Sequence, residues 1–154
     1  MKIDVPRVRF AHLPTPIEEL PRLSEVLGGP RIFVKRDDQT GLAFGGNKTR
    51  KLEFLVAEAR AEGAKTLVSG GALQSNHCRQ TAAAAARFGF DCILVLNGEI
   101  PDTPSANLLL DHLLGAEIKI IPDRAERDRI LEETYNEAVG GGKKPFLVPY
   151  GGSS

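Results

Sequence analysis

Apolar and polar positions alternate along this chain with two different periods. Ile32-Phe33-Val34, Thr66-Leu67-Val68, Cys92 to Leu96, Glu117 to Ile121 and Phe146-Leu147-Val148 have the length and β-branched content of short strands. Between them lie segments whose apolar residues recur every three or four positions. Lys48 to Glu62 places Leu52, Leu55, Val56 and Ala59 on one face, with Asn47 as its N-cap and Gly63 as its stop. Ser75 caps a helix that runs to Arg87, carries the run Ala82 to Ala86, and ends at Gly89. Further helices read from near Ser105 to Leu114, stopped by Gly115, and from Asp123 to about Val139, before the loop Gly140-Gly141-Gly142. The order β-α-β-α-β-α-β-α-β predicts an α/β fold, an open parallel sheet with helices on both faces. The last strand runs into Pro149-Tyr150-Gly151-Gly152-Ser153-Ser154 and stops. A loop there should lead into a further element of a doubly wound sheet, so the fold is expected to be truncated.

Composition narrows the class. A chain of 154 residues, 42% apolar and 26% charged, is long enough for one domain with a sizeable core. Lys and Arg number 20 and Asp and Glu 20, so there is no net field to attract nucleic acid or an anionic membrane. No apolar run approaches the ~20 residues of a bilayer crossing. The start, Met1-Lys2-Ile3-Asp4-Val5-Pro6, has no apolar signal core, and Cys78 and Cys92 form no CxxC pair. The expectation is a cytoplasmic protein. Three scattered histidines without HExxH predict no metal site.

Two loops carry candidate chemistry. In Gly41-Leu42-Ala43-Phe44-Gly45-Gly46-Asn47-Lys48-Thr49-Arg50-Lys51, three cations crowd a helix start, each unfavourable by ~0.3–1 kcal/mol against the helix dipole. A bound anion would compensate, or one lysine is consumed as an imine; a solvated basic helix start is the plain alternative. A phosphate-cradling P-loop fails by one residue, because Asn47 separates Gly46 from Lys48. In Ser69-Gly70-Gly71-Ala72-Leu73-Gln74-Ser75-Asn76-His77, a strand turns through glycines into a helix start. Free N–H groups at Ser75, Asn76 and His77 would bind a carboxylate or phosphate. The plain alternatives are an N-cap for Ser75 and a surface or capping role for His77. GxGxxG is absent, which argues against a standard dinucleotide loop. Asp37-Asp38 reads as an ordering pair in the turn.

Together, Lys35-Arg36-Asp37-Asp38, Gly41, the block Gly45 to Leu55 and Gln74-Ser75-Asn76-His77 resemble the 1-aminocyclopropane-1-carboxylate (ACC) deaminase and D-cysteine desulfhydrase family. Thr15-Pro16-Ile17, Leu20 to Ser24 and Pro149 to Ser154 are similar as well. These are pyridoxal-phosphate enzymes of the tryptophan synthase β-like fold (fold type II). The resemblance covers the first half of such an enzyme. It implies an N-terminal piece of the large cofactor domain over 1–48, a small α/β domain over 49–150, and a return to the large domain at 151–154. The glycine-rich phosphate loop, the partner of the pyridine nitrogen and an active-site tyrosine would lie in the other half.

The resemblance also implies roles. Lys48 matches the lysine that joins pyridoxal 5'-phosphate as an imine and then moves a proton at the substrate α-carbon. Ser75 matches an acid/base or substrate-binding hydroxyl, and Asn76 the asparagine bonded to the cofactor's 3′-oxygen. The amides at Ser75, Asn76 and His77 would hold the substrate carboxylate. Lys51 would lie near the cofactor phosphate or buttress the loop, and Asn47 would be structural. His77 stands where the deaminases usually carry glutamine, and the chain has no tryptophan after Leu96. The expected reaction is therefore elimination from a small amino acid, as in D-cysteine desulfhydrase, with release of sulfide, ammonia and pyruvate. ACC deamination and L-cysteate sulfo-lyase activity are the alternatives. An incomplete fragment or a non-catalytic anion-binding α/β module is the alternative of another class. A homodimer is expected at full length.

Overall fold

The computed structural model of the protein describes residues 5–153. Met1–Asp4 and Ser154, which open and close the expected domain bounds, lie outside the described residues. In chain order the elements are β1 (Ile17–Glu19), α1 (Pro21–Leu27), β2 (Phe33–Lys35), α2 (Lys48–Ala61), β3 (Thr66–Ala72), α3 (Asn76–Phe88), β4 (Asp91–Asn97), α4 (Ala106–Leu113), β5 (Glu117–Ile121), α5 (Arg127–Gly140) and β6 (Pro145–Leu147). Single 3-10 turns stand at 37–39, 42–44, 124–126 and 150–152.

Four strands form a parallel sheet in the order β5-β4-β3-β6. The chain steps outward from β3 to β4 to β5 and then returns across to the other side of β3. Right-handed crossovers make such a reversal change the face on which the connecting helix lies. Leu67, Cys92, Leu94 and Leu96 accordingly pack with Leu52, Val56, Ala82, Ala85 and Leu108 of α2, α3 and α4. Val68 and Ile93 point the other way, to Ala138, Leu131 and Tyr135 of α5. Both faces are covered, so β4 reads as a continuous apolar run rather than an alternating one. Ala82 to Ala85 are buried while Ala86 is exposed, and their small side chains let α3 lie close on the sheet. Each fully buried leucine contributes roughly 1.5–3 kcal/mol.

One expected strand belongs elsewhere. The sequence pattern makes Ile32-Phe33-Val34 the first strand of the parallel sheet. The strand at this place, β2, instead pairs antiparallel with β1 in a separate two-stranded sheet, with Glu18 opposite Val34. The reason is visible in its side chains. Phe33 and Lys35 are exposed, whereas a central parallel strand must be apolar on both faces. The strand β1 and the helix α1 have no buried residue, so neither carries an apolar period in the sequence.

The N-terminal arm is tied to α2 by one carboxylate. Glu53 is fully buried. Its Oε1 accepts from the amides of Phe10 (2.6 Å) and Ala11 (2.8 Å), and its Oε2 from Arg7 Nε at 2.6 Å. Desolvation raises its pKa, but these donors outweigh burial and hold it below the usual carboxylate range. Cys78 and Cys92 are buried free thiols.

Candidate active site

The return at β3 makes β3 and β6 the pair where strand order reverses, and ligands of open α/β sheets bind beyond the carboxyl ends of strands at such a point. Four segments meet there: the starts of α2 and α3, the end of β3, and the turn after β6.

The loop before α2 takes a path that few residue types allow. Gly41, Gly45 and Gly46 have φ of 97°, 70° and 129°, and Ala43 and Phe44 also lie at positive φ. A β-carbon on Gly45 would stand 1.9 Å from the Asp38 carbonyl oxygen. Thr40 Oγ1 closes the loop on the Gly46 amide (2.9 Å), and Gln80 Nε2 grips the Gly45 carbonyl at 2.9 Å. Gln80 Oε1 also accepts from Thr49 at 2.7 Å. Asn47 does occupy the N-cap position, but with helical backbone angles (φ −63°, ψ −20°) and no capping bond. A capping side chain needs the extended backbone that aims its oxygen at the first-turn amides.

The three cations of this helix start have separate fates. Arg50 is clamped by Asp37 through Nε (2.9 Å) and Nη2 (2.7 Å), which removes it from the excess charge that the sequence suggested. The Arg50 guanidinium in turn holds the Asp37 carboxyl below its ordinary range. Asp38 pairs with Arg36, so both aspartates order the turn as expected. Lys51 donates to Gly151 O (3.2 Å) and to Ser153 Oγ, tying down the chain as it returns. Lys48 Nζ has no hydrogen-bonding or ionic partner among the described residues.

The second loop begins where β3 ends. Ser75 has an extended backbone and its Oγ accepts from the Cys78 amide at 3.2 Å, which is the expected cap. Its own amide donates to Ala72 O at 2.9 Å, so it is not the free donor that the sequence suggested. The amides of Asn76 and His77 have no acceptor among the described residues, as the first turn of a helix requires. Gly71 leaves no room for a side chain, since a β-carbon there would lie 2.8 Å from both Ser75 Oγ and Cys78 Sγ.

His77 is neither a surface nor a capping residue. It is 4% exposed and its Nε2 lies 3.1 Å from Ser69 Oγ. Ser69 donates its single proton to Val148 O at 3.0 Å, so Nε2 carries the ring hydrogen and donates to the serine. Burial first, then the charges of Lys48 and Lys51, push its pKa down to about 4 against the pull of the Pro149 carbonyl. The imidazole is neutral at physiological pH.

The structure thus brings Lys48, Lys51 and His77 to one turn. A β-carbon on Gly151 would stand 3.7 Å from Lys48 Nζ; one on Gly152 would stand 3.2 Å from Lys51 Cδ and 3.5 Å from His77 Cε1. Asn76 faces α4, its Oδ1 accepting from Asn107 Nδ2 at 3.0 Å. Sequence reasoning missed Ser69, Thr49, Arg79, Gln80 and Asn107. Thr49 and Gln80 carried a signal, because each is a polar residue on the buried stripe of its helix, in step with Leu52 and with Ala84.

A family model described as pyridoxal-phosphate dependent enzyme matches residues 8–154. The chain belongs to the pyridoxal-phosphate dependent enzymes. It is 46% identical to the D-cysteine desulfhydrase of Salmonella typhimurium (strain LT2), over 97% of this chain and 47% of that protein. A crystal structure described as that of an ACC deaminase homologue superimposes with a TM-score of 0.89 at 41% identity, over 97% of this chain and 46% of that one. The open parallel sheet read from the sequence is therefore the fold of this family. The chain spans about half the length of the curated relative that it matches. Its residues fit the cofactor: Lys48 supplies an amine engaged by no carboxylate, and the Asn76 and His77 amides supply unpaired donors for an anion.

No helix among the described residues is long and apolar enough to cross a membrane, and no cluster of metal-ligating side chains occurs among them.

Proposed function

We propose that this chain is the lysine-bearing half of a pyridoxal-phosphate dependent lyase that releases sulfide, ammonia and pyruvate from D-cysteine. Residues 1–48 and 151–154 are assigned to the large cofactor domain of the full-length protein, and 49–150 to its small domain. The full-length protein is expected to be a homodimer in the cytoplasm. The observation that carries the reading is the unpartnered Lys48 ammonium, set at the switch point beside a helix start with two bare amides. Identity of 46% to a D-cysteine desulfhydrase supports the substrate.

When bound, pyridoxal phosphate supplies an electron sink for the charge left when the α-proton departs. The Asn76 and His77 amides bind the substrate carboxylate, helped by the positive end of α3. Lys48 carries the proton taken from the α-carbon, which needs a mobile side chain without a fixed counter-ion. Ser75 Oγ keeps its own proton free while it accepts from Cys78, so it can donate to substrate or leaving group. Asn76, whose Oδ1 is taken by Asn107, would hold the cofactor's 3′-oxygen through Nδ2. Lys51 holds the Gly151–Ser153 turn against the site. Neutral His77 adds no charge to the carboxylate pocket and braces the turn through Ser69 and Val148.

The test is an absorbance spectrum of the full-length protein with pyridoxal phosphate, followed by borohydride reduction and peptide mapping. A band near ~420 nm trapped on Lys48, absent in Lys48→Ala, supports the reading. An adduct spread over surface lysines refutes it. The likeness to the ACC deaminase homologue gives the second reading. Comparing turnover of D-cysteine, L-cysteate and 1-aminocyclopropane-1-carboxylate separates the substrates.

A further inference from the structure

We infer that Arg79 is a positioning residue: its guanidinium fixes the separation between the loop that presents Lys48 and the loop that presents Asn76. The inference rests on the cofactor reading above for its functional meaning, but the geometry stands by itself. Arg79 leaves α3 three residues after Asn76 and is 8% exposed. Its Nη2 donates to Gly45 O at 2.8 Å, three residues before Lys48. Its Nη1 donates to Asn107 Oδ1 at 3.2 Å. Asn107 passes the connection on. Its Nδ2 donates to Gln74 O (2.8 Å) and to Asn76 Oδ1 (3.0 Å), and its backbone amide donates to Gln74 Oε1 at 2.9 Å. One planar group therefore touches the first loop directly and the second through a single side chain.

The surroundings argue against a filler role. Burying a cation is costly unless polar partners answer it, and an apolar side chain would fill the same space without needing them. Asp111 lies one helical turn beyond Asn107 on α4, is fully buried, and feels the charge of Arg79. Among the described residues no hydrogen bond reaches either of its carboxyl oxygens, nor Arg79 Nε. At the start of α4 Asn107 thus meets the guanidinium directly, while Asp111, whose carboxyl burial pushes up to about 7, feels its charge without pairing with it. Gln80 grips the same Gly45 carbonyl from α3. The distinct contribution of Arg79 is therefore the link between loops, not the hold on Gly45. Lysine cannot replace it, because one ammonium lacks the fixed fork that reaches two acceptors on opposite sides.

The experiment uses the full-length protein and two variants, Arg79→Lys and the milder Asn107→Ala, which alters a half-buried surface side chain. Hydrogen exchange is followed at four amides that are bonded within the loops: Gly45 and Gly46 in the first, Ser75 and Cys78 in the second. Arg79→Lys is expected to speed exchange about tenfold in both loops while β3 and β4 keep their protection. Asn107→Ala is expected to do so at Ser75 and Cys78 alone. Pyridoxal phosphate affinity, read from the absorbance band, should fall about tenfold in Arg79→Lys. Uniform loss of protection across the sheet, unchanged exchange in both loops, or full function in Arg79→Lys would overturn the inference. If Arg79→Lys does not fold, unchanged exchange at Ser75 and Cys78 in Asn107→Ala overturns it. If the unaltered protein forms no adduct on Lys48, the cofactor reading fails while the exchange pattern still decides the link.

Discussion

Gly45 and Gly63 separate two costs that are usually confounded, the cost of a backbone conformation and the cost of a close approach. Both have φ near +70°. At Gly63, just past α2, a β-carbon would meet nothing within 4 Å. Gly63→Ala therefore suffers only the left-handed conformation, about 1 kcal/mol. Gly45 has ψ of −173°, in a region that is almost exclusive to glycine and costs about 1–3 kcal/mol for other residues. Its β-carbon would also fall 1.9 Å from Asp38 O, so the turn must move. Overpacking adds about 1–3 kcal/mol. Gly45→Ala should then cost about 4 kcal/mol, three or more beyond Gly63→Ala. For a chain of this size that difference lowers Tm by about 10 °C. Urea denaturation measures both values, with the slope checked for constancy. Because Arg79 and Gln80 hold the carbonyl of Gly45, the same variant should also weaken the adduct at Lys48. Equal costs for the two variants would refute the argument from close approach.

Other outcomes follow from the same geometry. Glu53→Gln leaves Arg7 facing an amide in a buried site and should cost about 3 kcal/mol in urea denaturation, whereas a cost under about 1 would mean that packing and backbone bonds such as Val8 N to Glu53 O hold the arm. His77 should make stability fall as pH drops from 6.5 toward 4: its folded pKa lies below the unfolded one, so the unfolded chain takes up the proton first, and the loss levels off below about 4. The full effect is roughly 3 kcal/mol, and urea midpoints of His77→Gln should lack this part of the slope. Ser75→Ala removes the α3 cap and should cost about 1 kcal/mol by thermal melting, with the Lys48 adduct retained and turnover reduced.

Much of the fold was legible because its signals are local. Ser75 and Gly89 mark both ends of α3 by their own chemistry, one as a side-chain acceptor and the other as a left-handed cap. The apolar stripe of Leu52, Val56 and Ala59 identifies α2 whatever it packs on. Lys48 and Asn76 stood out because their loops match a family block for block. The partner of a strand is a different matter. The residues Ile32-Phe33-Val34 show an extended segment, but only the surface that meets them decides between a central parallel strand and the small antiparallel pair with β1.

The same distinction holds at the site. By itself the sequence determined the order of elements, the glycine turns and the family to which the lysine loop belongs, because each depends on residues close together in the chain. Only the tertiary structure decided that Arg50 is neutralised by Asp37, that Lys51 ties down Gly151, that His77 is buried on Ser69, and that Arg79 bridges two loops. Those outcomes depend on groups eight to a hundred residues apart that only the folded chain brings together. Charge and polarity along a sequence say what a residue needs, and the packing of distant elements says which group answers it.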